Sequence, residues 1–191
     1  LTISEPDVLR IRDVGWPCLE ALLNPAGLSI SQVDEGCAIP GSHWGDEEAG
    51  LIQHALYARL DTPVHSVLHE AGHWLLMSEA RRAALHTDAK GSAVEEMAVC
   101  YLQILMGDLV PDMGWQRMCQ DMDRWGYSFR LGNTRAWLQD DADDALDYLA
   151  QKLSHTHGIP GLQIRAPGGG VLQQDDDGGT HVETTHLGTT S

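Results

Sequence analysis

Apolar residues recur at helical spacing in two long stretches of the chain. Between Thr62 and Arg82, the residues Val64, Val67, Leu68, Ala71, Leu75 and Leu76 fall on one side of a helix. Thr62 suits the cap, and Pro63 suits the first helical position, where its missing N–H leaves nothing unpaired. Arg81 and Arg82 sit near the far end, where positive charge complements the helix dipole. The spacing predicts a helix over about 63–78. From about Ala93 to Met106 the chain is apolar almost all round, through Val94, Met97, Ala98, Val99, Cys100, Tyr101, Leu102, Ile104 and Leu105. A helix of that kind is buried on every side, and Pro111 closes it. Cys100 reads here as a small core residue.

The remaining pattern is weaker. Residues 1–40 read as short helix and loop, broken by Gly15, Pro17 and the turn Asn24-Pro25-Ala26-Gly27. The spacing of Ile52, Ala55 and Leu56 favours helix over strand. Residues 136–153 predict one acidic amphipathic helix, with Leu138, Ala142, Ala145 and Leu149 as its stripe. Beyond about Ala166 the chain is rich in Gly, Asp and Thr and almost lacks apolar residues, which predicts a flexible tail. The expected fold is mainly α, or α+β with a small sheet. It forms a single domain over 1–165, with the tail over 166–191.

Charge narrows the partners. The 191 residues carry 12 Lys and Arg against 28 Asp and Glu, a net charge of −16. A surface that acidic repels phosphate backbones and anionic lipid, so nucleic acid and membrane surfaces are not expected partners. No stretch approaches the ~20 apolar residues of a membrane span. The four cysteines form no C-x-x-C pair, and a reduced, cytoplasmic setting is the expectation.

One motif carries chemistry: His69-Glu70-Ala71-Gly72-His73, an HExxH on the first predicted helix. Positions four apart share a helix face, so both imidazoles can bind one ion. Glu70 projects about 100° away. From there it can take a proton from metal-bound water as a catalytic general base. Two histidines and a glutamate in a mostly apolar helix are costly to bury without a metal. A third ligand is needed, and the second buried helix is its natural source. It offers Glu95 and Glu96, with Glu95 about 22 residues past His73. Ser92-x-x-Glu95 is also a capping box, which would engage Glu95 and leave Glu96 as the ligand.

This pattern of HExxH, roughly 20 residues, then Glu-x-x-small resembles the gluzincin class of metalloproteins. The resemblance implies Glu95 as third ligand, with Ala98 as the small residue and Val99 where many gluzincins carry Asp or Asn. Over residues 44–88 the chain is also similar to bacterial elongation factor P hydroxylase, through His69-Glu70-x-x-His73-Trp74, Ala80-Arg81-Arg82 and Asp88. That family implies a non-heme iron hydroxylase with two His and a carboxylate. After Asp88 the chain departs from it, with Ala89-Lys90-Gly91. The whole chain resembles bacterial proteins of unassigned function that carry a Glu-Glu-x-Ala-x-Cys-Tyr-Leu-Gln stretch, here Glu95 to Gln103.

Three functions follow as expectations. The first is a zinc-dependent hydrolase, a gluzincin-like metallopeptidase with a peptide or protein substrate. The second is a hydroxylase of a protein side chain using Fe(II). The third is a non-catalytic domain stabilised by one divalent metal. His65, one turn before His69, and Asp88 are candidates to orient a ligand or touch substrate; the simplest reading of His65 is a partly exposed first-turn residue. Tyr127 and Arg130 are candidate oxyanion or substrate contacts.

Overall fold

The computed structural model describes residues 6–43, 45–86, 91–153 and 158–165, with the backbone of 172–174 and 180–182. Its architecture is mainly helical with a small three-stranded sheet. The order is α1 (Ile11–Val14), α2 (Trp16–Leu23), β1 (Ser29–Gln32), β2 (Gly50–Ile52), β3 (Ala55–Ala58), α3 (Val64–Leu76), α4 (Glu79–Ala84), α5 (Ala93–Gly107), α6 (Gly114–Trp125), α7 (Thr134–Asp140), α8 (Asp143–Lys152), β4 (Leu172–Gln174) and β5 (Thr180–Val182). Among the described residues, no helix is long and apolar enough to cross a membrane.

The two strongest patterns appear as α3 and α5, nearly where the spacing places them. The start of α3 differs by one residue. Pro63 is the cap rather than the first helical residue, and no side-chain oxygen caps the helix. The Thr62 hydroxyl instead accepts from the Arg59 amide. The Val64 amide, which would otherwise be orphaned at the helix end, donates to the Leu9 carbonyl at 2.8 Å. The Leu9 amide in turn donates to Asp121 of α6 at 2.8 Å, so the N-terminal strap ties α3 to α6. Arg81 and Arg82 belong to a separate helix, α4, capped by Ser78.

Two expectations are corrected. Residues 50–58 form a hairpin, not a helix. Gln53 takes a left-handed φ of 53°, which turns the chain after Ile52. Leu56 and Ala58 of β3 are buried while Ala55 and Tyr57 are half-buried, a period of two. Three apolar positions are too few to separate that period from 3.6. β3 is central, parallel to β1 and antiparallel to β2. The acidic stretch 136–153 is two helices, because Asp141 leaves helical geometry after α7. Asp143 and Asp144 then open α8, where negative charge favours a helix N-terminus. Of the expected tail, the described backbone at β4 and β5 pairs antiparallel; the rest of 166–191 lies outside the described residues.

α5 is the central rod, packed against α3, α6 and α8. Its residues Ala98 through Gly107 are all buried. α3 crosses it antiparallel: His73 lies opposite Glu96, and His69 opposite Gln103. The crossing is close because position 72 is glycine. A Cβ there would stand 3.1 Å from Val99 Cγ1 and 3.4 Å from the Val99 carbonyl oxygen. Gly72→Ala should therefore push the helices apart and cost about 1–3 kcal/mol, the usual range for overpacking. Adding Val99→Ala should restore most of that stability in thermal melts. A double variant no more stable than the single one would show that the contact does not limit the approach.

Candidate metal centre

The crossing brings together residues from three elements. α3 supplies His69 and His73 on one face. α5 supplies Glu96, Cys100 and Gln103, which recur at intervals of four and three on the face turned to α3. Tyr127 comes from just beyond α6. There Gly126 takes a left-handed φ of 101°, and the Tyr127 amide bonds back to the Met122 carbonyl at 3.0 Å. That turn returns the Tyr127 ring over the histidines, 5.9 Å from His69 and 5.7 Å from His65 between centroids.

The donor atoms converge. His69 Nε2 and His73 Nε2 are 3.2 Å apart. Glu96 Oε1 lies 3.1 Å from His69 Nε2, and Glu96 Oε2 lies 3.4 Å from His73 Nε2. A tetrahedral ion with bonds of ~2.0–2.1 Å separates its ligand atoms by about 3.3–3.4 Å. The three contacts, in which Glu96 uses one oxygen toward each imidazole, are close to that spacing. Gln103 orients the His69 ring. Its Nε2 donates to the His65 carbonyl at 3.3 Å, which turns its Oε1 toward His69. The Nδ1–H of His69 then donates to that oxygen at 3.0 Å, which fixes the ring with Nε2 toward the site. Hydrogen bonds from His69 and then His73 hold the Glu96 carboxyl well below the usual carboxylate range. His69, Glu96 and Cys100 offer ligand atoms within 4.8 Å of one another, a group that can hold a metal ion.

The structure reverses the expected preference between the two carboxylates. Glu95 does not face the histidines. Its Oε1 pairs with Arg81 of α4 at 2.8 Å, and its Oε2 accepts from the Tyr148 hydroxyl of α8 at 3.2 Å. The cap forms only in part: the Ser92 hydroxyl accepts from the Glu95 amide, while the Glu95 side chain is held away by Arg81. Consecutive residues on a helix point about 100° apart, so one carboxylate faces α3 and the other faces α4 and α8.

The other candidates separate clearly. Glu70 is partly buried beside the donors. Burial raises its carboxyl, the charges of His69 and His73 pull it back, and Glu48 and Glu96 push it up again. Burial pushes the Tyr127 phenol to about 12, so it stays protonated and able to donate. His65 is not the partly exposed residue expected from its place in the first turn. It is 1 % exposed, with its ring 5.0 Å from that of Trp125, and neither ring nitrogen has a hydrogen-bond partner among the described residues. Arg130 is not part of the site: it is exposed and paired with Asp141. Asp88 lies outside the described residues.

A cleft of about 450 Å³ is lined by Gly45, Asp46, Glu47, Glu48, Arg59 and Trp125. The Trp125 indole donates to Glu48 at 2.7 Å, and the Ala49 amide donates to the Ser66 hydroxyl of α3 at 3.0 Å. These bonds fix the 45–49 segment beside α3, close enough for the Glu48 charge to act on Glu70 and Tyr127.

Sequence reasoning missed Cys100 and Gln103 as members of the site. The signal was available: both fall on the Glu96 face of α5, four and seven residues on. Comparison with known proteins finds no matching family model, no similar curated protein and no similar solved structure.

Glu96→Gln should weaken cobalt or zinc binding strongly in a calorimetric titration. Glu95→Gln should leave that binding near wild type but lower the melting temperature, because it disturbs the Arg81–Glu95–Tyr148 tie. His65 sets a pH dependence. Burial, then the charges of His69 and Arg10, lowers its pKa to about 3, against an ordinary value near 6.5. Below about pH 6.5 the unfolded chain takes up a proton that the folded chain refuses until about pH 3. The stability linked to His65 is complete above pH 6.5 and is lost as pH falls through that window. His65→Leu should therefore flatten the melting temperature against pH between 6.5 and 4, measured without metal. An unchanged slope would show that His65 is not the group responsible.

Proposed function

We propose that this chain is a metal-dependent hydrolase, zinc-dependent and acting on a peptide or protein substrate. The observation that carries the reading is the spacing of His69 Nε2, His73 Nε2 and one carboxylate of Glu96 at 3.1–3.4 Å, with Glu70 beside them. A divalent ion held there supplies Lewis-acid polarisation of a carbonyl and acidifies a coordinated water. The chain's own residues do the rest. Glu70 accepts the proton of the attacking water and hands it to the leaving amine, a task favoured by the raised carboxyl that burial gives it. The Tyr127 phenol donates to the oxygen on which negative charge develops. Gln103 holds the His69 ring in register. The cleft beside Trp125 and Glu48 admits the substrate.

The second reading is a ferrous hydroxylase of a protein side chain. It draws on the same observation, since two histidines and one carboxylate on one face also suit non-heme iron. Glu70 separates the two. In hydrolysis it is the base, so Glu70→Gln should bind metal normally and lose ~10²–10⁴-fold in turnover on unfolded-protein or peptide substrates. Full hydrolysis of a confirmed substrate by Glu70→Gln would sink the peptidase mechanism. Oxygen uptake with ferrous iron, accompanied by a modified protein and no cleavage products, would establish the hydroxylase instead.

A further inference from the structure

Cys100 stands one helical turn beyond Glu96 on α5, 3 % exposed, on the face that meets His69. Its surroundings differ from those of an ordinary core cysteine. The sulfur, a ring nitrogen of His69 and a carboxylate oxygen of Glu96 lie within 4.8 Å of one another. A buried thiol thus meets an imidazole and a half-exposed carboxylate, three metal-ligating groups in one place. A small apolar residue would fill the same space without offering a donor.

We propose that Cys100 is a fourth, exchangeable ligand of the ion held by His69, His73 and Glu96, so that the resting centre is closed by sulfur and opens only when the sulfur leaves. The proposal rests on the metal reading of those three residues and adds a donor to it. Charge balance supports it. Two neutral imidazoles, one carboxylate and one thiolate would together offset the charge of a divalent cation, and a neutral site is the least costly to hold against a buried core. With three donors alone the same ion would keep a net positive charge. Coordination number supports it as well: four protein donors close a tetrahedral site, while three leave a corner for water. The thiol gives up its proton when it coordinates. It takes a proton back when water replaces it, so no oxidant or reductant is consumed. Donor softness then sets the metal: a thiolate in the set favours zinc, cobalt and cadmium over magnesium and manganese.

The experiment is X-ray absorption on the full chain loaded with zinc under reducing conditions, paired with the optical spectrum of the cobalt-loaded chain. A sulfur shell at about 2.3 Å, beside nitrogen and oxygen at ~2.0–2.1 Å, is the expected result. The cobalt form should show a thiolate charge-transfer band in the near ultraviolet. Cys100→Ser should lose both signals while still binding cobalt. A metal shell of nitrogen and oxygen alone in the wild-type chain would overturn the proposal and leave the His69, His73 and Glu96 site standing. A sulfur signal that persists in Cys100→Ser would overturn it too, since the donor would be another cysteine. Failure of the wild-type chain to retain zinc or cobalt at all would overturn the metal reading itself. If Cys100→Ser does not fold, the wild-type zinc spectrum decides the question alone.

Discussion

Everything at the candidate site depends on how closely α3 approaches α5. The absence of a side chain at Gly72 lets Val99 sit against the α3 backbone. That approach sets the distance from His69 and His73 to Glu96, Cys100 and Gln103. Helix axes normally pack ~8–10 Å apart, with the separation set by the side chains at the contact. A glycine at the contact favours the near end of that range, where short side chains such as Glu and Cys can meet imidazoles across the seam. Val99 serves the packing of this crossing.

The second constraint is the burial of charge. Asp121, Glu95 and Glu96, all in or against the helical core, are answered in three different ways. Asp121 is fully buried and accepts from the Leu9 amide, Arg117 and Arg124. Glu95 is answered by Arg81 and Tyr148. Among the described residues Glu96 pairs with no arginine or lysine, only with two imidazoles whose proton content is variable. Glu96 is half-exposed, and a carboxylate met by imidazoles alone is where a cation adds to stability, because the cation supplies the missing charge. The contrast between Glu95 and Glu96, adjacent in sequence, is the clearest electrostatic signature in the molecule.

Aromatic residues close the site on its other side. Trp125 and Tyr127 flank the end of α6, and the left-handed Gly126 between them reverses the chain so that both rings reach His65. The indole N–H is committed to Glu48, so one ring joins the wall of the site to the wall of the cleft. His65 sits behind both rings with unpaired nitrogens. In that place it contributes shape and a pH-sensitive cost, and its backbone carbonyl, through Gln103, helps to set the His69 ring.

Some of this was legible from residue order alone. The periods of α3 and α5 were strong because each spans several turns, and the four-residue spacing of His69 and His73 needs only a helix to place both on one face. Elsewhere local pattern gave out. Residues 50–58 are too short for period two to be told from 3.6, and the break at Asp141 rests on one residue's backbone angles. The choice between Glu95 and Glu96 could not be read locally, since both begin the same helix and either suits the spacing. It was made by which helix lies across each: α3 for Glu96, α4 and α8 for Glu95. Cys100 looked like a core residue and Gln103 drew no reading, because their partners lie some thirty positions away in sequence, on α3. Sequence determined which helices form and which faces carry chemistry. Only the tertiary packing decided which faces meet, because that depends on the separation and rotation of helices far apart in the chain.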